Sequence, residues 1–314
     1  MSKAPQTYNN TLSPIAKTRI MADRNLVKKD EKGYAESDIY FSFDETQLNN
    51  EFHILTIGSR ELDNPYFGGF FMFYGKFPDQ YPFTPPHILA RTQGLNTRFH
   101  PNYYVNGKCC LSILGTWSGP PWTSCQNLGT TSQGLKSLFI DNPISQEPGW
   151  ENCLQEKSNM YNFVIAYRTL EVAVLNMLDS PPLGFEYFIE KMERTFLQLY
   201  DKYIEKLENF KKYEGKSYKS PIYDIKINVN AIELEQKFIK KKLELSKKYN
   251  IEIKPIEKQK KIIEKNNKRK APDIKASLFE VGYKTQSLNG DKDLWIVFET
   301  INGQKRWKKY KDIV

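Results

Sequence analysis

The chain has 314 residues, with 46 Lys and Arg against 37 Asp and Glu, a formal net charge of +9. Hydrophobic residues at 39% and aromatic residues at 14% suffice for a sizeable core, which excludes disorder throughout. No run of about 18 apolar residues argues for a membrane span, and no apolar stretch after Met1 suggests a secretory leader.

In chain order, Ser13 followed by Pro14 marks a helix start, and the helix extends to about residue 29. Ile15, Ala22 and Leu26 fall near one face of it, while Lys17, Arg24 and Lys28 lie elsewhere and make it basic. Strands are expected near 39–43, 51–57, 69–77 and 87–91, separated by turn residues at Asn49-Asn50, Asp63-Asn64-Pro65 and Tyr81-Pro82. Connections this short favour an antiparallel meander. Residues 99–122 form a long loop rich in Pro, Gly and Trp, and so long a loop in a compact domain argues for function. Helices follow near 129–140, weakened by Gly134, and more strongly at 156–178 and 185–210. The order of helix, four strands, loop and helices defines an α+β domain with segregated layers.

The charge is concentrated. Residues 1–205 carry a net −4, residues 206–272 a net +11, and residues 273–314 a net +2. Four regions are expected: a flexible N-terminus at 1–12, a core with extended C-terminal helices at 13–210, a Lys-rich helical or linker segment at 211–272, and a small β module at 273–314. The stretch from Lys258 to Lys270 reads as a solvated linker, and Lys268-Arg269-Lys270 resembles a nuclear-localisation patch. In the β module, Asn302-Gly303 supplies the positive φ of a tight hairpin turn. Trp295 and Trp307 serve either its own small core or a recognition surface. The basic middle segment also raises a nucleic-acid reading. Few aromatics are interleaved there, and the net −4 of the first 205 residues opposes that reading.

The four Cys (Cys109, Cys110, Cys125, Cys153) show no disulfide framework, and a reducing compartment is expected. The three His (His53, His87, His100) have no metal-ligand spacing, so no metal is expected. Asn102 stands eight residues before Cys110 with a Gly turn between them. A thiol nucleophile paired with an amide donor suits thioester chemistry. A buried Cys pair beside a turn-forming Asn suits the same residues, and composition leaves both readings open. A Cys–His hydrolase using His100 fits less well, because His-Pro in a turn is poorly placed to act as an oriented base.

Further residues carry a resemblance. His100-Pro101-Asn102, then Gly107-Lys108, Cys110-Leu111, Ile113-Leu114 and Trp117, resemble the active-site signature of ubiquitin-conjugating enzymes. Asn64-Pro65-Tyr66-Phe67-Gly68-Gly69 and Tyr81-Pro82-Phe83-Thr84-Pro85-Pro86 resemble two further family loops, in the right order. Leu111–Gly119, Asn142–Glu151 and the helical stretch Tyr161–Val174 resemble the large Z-type branch, known for a non-standard activating enzyme and a second, ubiquitin-like modifier. The resemblance covers about residues 13–180, extends weakly to about 203, and is absent from the last 100 residues.

The resemblance implies the UBC-like fold and a thioester enzyme. Cys110 takes the catalytic place, and Asn102 the place described as oxyanion stabiliser or loop holder. His100 and Pro101 take structural places. Cys109 stands where aliphatic residues are usual. Glu147 is chosen over Asp141 and Ser145 as acceptor for the proton of an attacking lysine. Implied partners are ubiquitin or a ubiquitin-like modifier, an activating enzyme that consumes ATP, a ligase and a protein substrate. No cofactor is implied for the chain itself. Lys17, Arg24 and Lys28 fall at the activating-enzyme surface. Phe83, Trp122 and Ser124 fall where ligases bind, although Thr123-Ser124-Cys125 replaces the usual Ser-Pro-Ala. Phe67 stands where Glu is common. A cytoplasmic and also nuclear location follows, and a non-catalytic scaffold or decoy is the alternative.

Overall fold

The computed structural model describes residues 12–43 and 50–251, and the strand backbones at 284–286, 294–299 and 305–309. The chain divides into two units, Met1–Tyr249 and Asn250–Val314.

The first unit opens with α1 (Pro14–Lys29), whose N-terminus is capped by Ser13 Oγ accepting from the Ala16 amide. A short α2 (Glu31–Glu36) leads into β1 (Ile39–Ser42), β2 (Glu51–Ile57), β3 (Phe70–Lys76) and β4 (His87–Ala90). These form one antiparallel sheet in sequential order, with Ile54 opposite Phe73 and Phe73 opposite Ala90. The α+β meander expected from the turn spacing is therefore present. Phe52, Ile54, Phe70, Met72 and Phe73 are buried in it.

The phase of α1 differs from the sequence expectation. Ile15 is 59% and Leu26 44% exposed, and Ala22 also faces solvent. The buried face instead carries Ala16, Ile20, Asp23, Arg24 and Val27. Polar residues can hold that face because their partners are built in. Asp23 accepts from Arg19 Nε at 2.7 Å, from the Leu128 amide at 2.9 Å and from the Tyr81 hydroxyl.

After the long loop, α3 (Leu128–Lys136) starts at a capping box between Asn127 and Thr130. α4 (Gln155–Arg168) continues through a π-helical stretch, Thr169–Asn176, into the last turn α5 (Met177–Asp179). A 3₁₀ turn at Glu186–Phe188 precedes α6 (Ile189–Phe210). Next come β5 (Ser217–Lys219), paired antiparallel with β6 (Lys226–Asn228), and α7 (Ala231–Lys248).

The compact first unit runs past residue 210 to Tyr249. Beneath the Lys-rich surface of α7 runs an apolar stripe, Ala231, Leu234, Phe238 and Leu245, all buried. Phe238 meets Phe196 and Tyr203 of α6 at ring distances of 5.5 and 5.4 Å. Several lysines have acidic counterparts: Lys248 pairs with Glu193 at 2.6 Å and Lys211 with Glu235 at 2.8 Å. Charge therefore hid a packed helix in a segment read as helix or linker. The expected linker 258–270 lies outside the described residues.

α6 docks on the turn between β2 and β3. Phe67 is fully buried, its ring 5.4 Å from that of Tyr203, and the Tyr203 hydroxyl donates to the Gly68 carbonyl at 2.8 Å. Lys206 donates to the carbonyls of Leu62 and Asn64, and burial lowers its pKa to about 8. Phe67 is thus the seat of the extended helix.

The second unit contains β7 (Lys284–Gln286), β8 (Leu294–Glu299) and β9 (Lys305–Lys309) in one antiparallel sheet. The expected hairpin corresponds to the β8–β9 pair, where Val297 stands opposite Trp307. The side chains of Trp295 and Trp307 lie outside the described residues.

Candidate active site

The long loop is regular in its bonding although not in its backbone. A bed of aromatic rings supports it: Phe71 stacks on Phe139 at 4.3 Å and meets Phe99 edge-on at 5.4 Å. The Tyr66 hydroxyl donates to the Phe99 carbonyl at 2.8 Å, and the Tyr103 hydroxyl to the Leu135 carbonyl at 2.6 Å. These bonds fasten the loop to the β2–β3 turn and to α3. Short bridges pair His100 with Tyr103, Tyr103 with Cys109, and Lys108 with Leu89 of β4.

His100 is fully buried in this bed. Burial, and secondarily the charge of Arg98, lowers its pKa to about 3, so the ring is neutral. Its Nδ1 accepts from the Asn102 amide at 3.0 Å, which places the ring proton on Nε2. A neutral ring committed to a backbone amide holds the turn and does not serve as a base.

Asn102 and Cys110 are tied twice. The Cys110 amide donates to the Asn102 carbonyl at 2.8 Å, and Asn102 Nδ2 donates to the Cys110 carbonyl at 2.6 Å. A side-chain amide carries two N–H groups. One of them holds the loop here.

Both adjacent cysteines are 2% exposed, yet their settings differ. Burial pushes the Cys109 thiol up to about 12, and its sulfur faces the Gly107 carbonyl at 3.6 Å. Such a thiol is inert at neutral pH. Cys110 stands between the two residues held by Thr116. Thr116 Oγ1 accepts from the Leu111 amide at 3.0 Å and donates to the Cys109 carbonyl at 2.7 Å. Sequence reasoning passed over Thr116, because a Thr between Gly and Trp looks like ordinary loop. Its position directly after a left-handed Gly115 (φ 66°) folds it back onto the cysteine segment.

Glu147 follows the 3₁₀ turn Pro143–Gln146, and its carboxylate accepts from the Tyr223 hydroxyl. The alternatives are occupied elsewhere: Asp141 accepts from Asn64 Nδ2 at 2.8 Å, and Ser145 donates to the Asn142 carbonyl at 2.7 Å.

The expected partner surfaces divide. Lys17 and Lys28 are on the exposed side of α1. Arg24 is not: it is 8% exposed, 4.9 Å from the Phe43 ring centre and within 3.4 Å of the Glu51 carbonyl. The face that carries it is the buried one, so Arg24 is corrected from surface contact to packing. Phe83 is 69% exposed, and Trp122 Nε1 donates to the neighbouring Pro82 carbonyl at 2.6 Å, so the two expected contacts form one surface. Arg19, unnoticed in the sequence, reaches from α1 to the carbonyls of Ser124 at 2.8 Å and Gln126 at 2.6 Å. Among the described residues, no three His, Cys, Asp or Glu gather as a metal site, and no helix is long and apolar enough to cross a membrane.

With this geometry in place, sequence comparison defines the class. The profile described as ubiquitin-conjugating enzyme matches residues 19–164, so this segment carries that family's domain. The segment is similar to ubiquitin-conjugating enzyme E2 Z of several organisms. It is 44% identical over 156 residues to that protein of Danio rerio, covering 48% of this chain and 46% of the relative. To that of Homo sapiens it is 43% identical over 156 residues, covering 48% and 43%. To a probable ubiquitin-conjugating enzyme protein 17 of Caenorhabditis elegans it is 38% identical over 169 residues, covering 50% and 22%. The chain thus spans less than half the length of these relatives.

Proposed function

We propose that the chain accepts the C-terminal carboxyl of ubiquitin, or of a ubiquitin-like modifier, as a thioester on Cys110. In loading, the Cys110 thiolate attacks the carbonyl of the activating enzyme's thioester and that enzyme's thiolate leaves. In transfer, a substrate lysine or a ligase cysteine attacks the Cys110 thioester and the Cys110 thiolate leaves. ATP is consumed by the activating enzyme, and the chain needs no cofactor of its own.

The observation that carries this reading is the double tie between Asn102 and Cys110 within a conjugating-enzyme domain. A side-chain amide held at the Cys110 backbone is assigned to meet the oxyanion of either tetrahedral intermediate. Lysine amines are protonated below about pH 10.4, so transfer needs an acceptor for the leaving proton. Glu147 is assigned that role. Lys17 and Lys28 are assigned to an acidic face of the activating enzyme, and Phe83, Trp122 and Ser124 to a ligase.

A charging assay tests the reading. The protein is incubated with ubiquitin, ATP and each type of ubiquitin-activating enzyme, then run on gels with and without reductant. The expected result is a reductant-sensitive band one ubiquitin heavier. Cys110→Ser should convert it to a reductant-stable oxyester, while Cys109→Ser should still form the labile band. If Cys109→Ser alone abolishes charging, the assignment is reversed. No band with any activating enzyme or modifier would favour the non-catalytic scaffold.

A further inference from the structure

Arg98 stands four residues before Asn102 and holds the turn between them by donating from Nη2 to the Pro101 carbonyl. Its guanidinium lies between two rings, 3.7 Å from the centre of Tyr104 and 3.9 Å from that of Tyr223. Tyr104 belongs to the active-site loop. Tyr223 does not: it lies in the turn joining β5 to β6, beyond the matched segment 19–164. The same Tyr223 donates its hydroxyl to Glu147 and meets the Tyr161 ring of α4 edge-on at 6.3 Å. One side chain from the C-terminal extension therefore touches the post of the Asn102 turn and the proposed proton acceptor together.

The hairpin is built to present it. Tyr223 has φ 65° and Asp224 φ 53°, a left-handed pair that disfavours a bulky side chain. The pair persists because its base is fixed. Ile225 and Ile227 are 1% exposed, the Ser220 amide donates to the Ile225 carbonyl at 2.8 Å, and Asp224 pairs with Lys219 at 2.6 Å. Burial, with the bond to Glu147, raises the Tyr223 pKa well above its ordinary value, so the hydroxyl stays a donor throughout the neutral range.

We propose that Tyr223 is a positioning residue for acyl transfer, supplied from outside the conjugating domain. Its ring holds Arg98 so that the 100–102 turn keeps Asn102 across Cys110, and its hydroxyl holds the Glu147 carboxylate in place. The inference rests on the reading of Cys110 as thioester carrier and of Glu147 as acceptor. A purely architectural Tyr223 would change stability without separating loading from transfer.

The test uses the full chain, preloaded with ubiquitin and chased with free lysine as the acceptor. Loading and discharge rates are measured separately for the wild type, Tyr223→Phe and Tyr223→Ala. Tyr223→Ala is expected to slow discharge about tenfold, the scale of losing one desolvated ring from a cation, with loading changed less than about twofold. Tyr223→Phe keeps the ring over Arg98 and should fall between the two. Equal loss of loading and discharge in either variant overturns the proposal while leaving the thioester reading intact. Failure of the wild type to load at all overturns the thioester reading itself, and this inference with it.

Discussion

The active-site loop, residues 99–117, and the helical pair α6 and α7 are fixed by opposite means. The loop contains a single 3₁₀ turn, Ser112–Leu114, and is held by directed bonds from side chains to backbone: Tyr66 to Phe99, Arg98 to Pro101, Asn102 to Cys110, Thr116 to Cys109. The helices are held by burial of Phe196, Tyr203, Leu207 and Phe238, with Lys–Glu pairs at the margins. Directed bonds fix where an atom points, and apolar burial fixes how much free energy separates folded from unfolded chain. The loop should therefore lose chemistry before stability, and the helices stability before chemistry.

The largest effect should come from the helical side. Phe238→Ala removes a fully buried ring and should cost about 3–5 kcal/mol, read by urea unfolding. Charging per folded molecule should remain, and its loss at temperatures where the variant is folded would blur the contrast. From the loop side, Asn102→Ala should slow discharge to lysine by about 10²–10³ and loading by less. Single-turnover rates check this, and equal slowing of both steps would favour a purely structural Asn102.

A pH experiment sharpens the contrast within one residue. Folded His100 titrates near 3, whereas an unfolded His titrates near about 6.5. Between these values the unfolded chain binds the additional proton, so stability rises with pH and is lost as pH falls below about 6.5. His100→Asn should flatten that acid slope by about one proton, measured as unfolding free energy from pH 7 to 4. The smallest effect is expected for Thr116→Val, which loses the bonds to Leu111 and Cys109. It should cost about 1–2 kcal/mol and reduce discharge more than it lowers the unfolding midpoint.

Much of the sheet was legible because turn residues punctuate it and its connections are short. β2 spans the expected residues, and the other three strands differ only at their ends. The His-Pro-Asn turn and Cys110 were legible as a motif. The phase of α1 was not, because Asp23 and Arg24 are buried by virtue of partners more than 25 residues away, Leu128 and Glu51 among them. Local apolar spacing cannot register such partners. α7 was legible as a helix but not as core, since its lysines dominated the composition over the stripe of Leu234, Phe238 and Leu245. Tyr223 had no local signal at all. Its role exists only where β5 and β6 bring it to Arg98 and Glu147.

Phe67 bears on how the protein should be produced. A fragment cut at residue 164, where the family match ends, would strip α6 from the β2–β3 turn. It would leave Phe67 in water and the carbonyls of Leu62, Asn64 and Gly68 without Lys206 and Tyr203. Such a fragment would carry an adhesive aromatic patch and precipitate or self-associate. The shortest piece worth expressing ends after Tyr249, where the first unit closes.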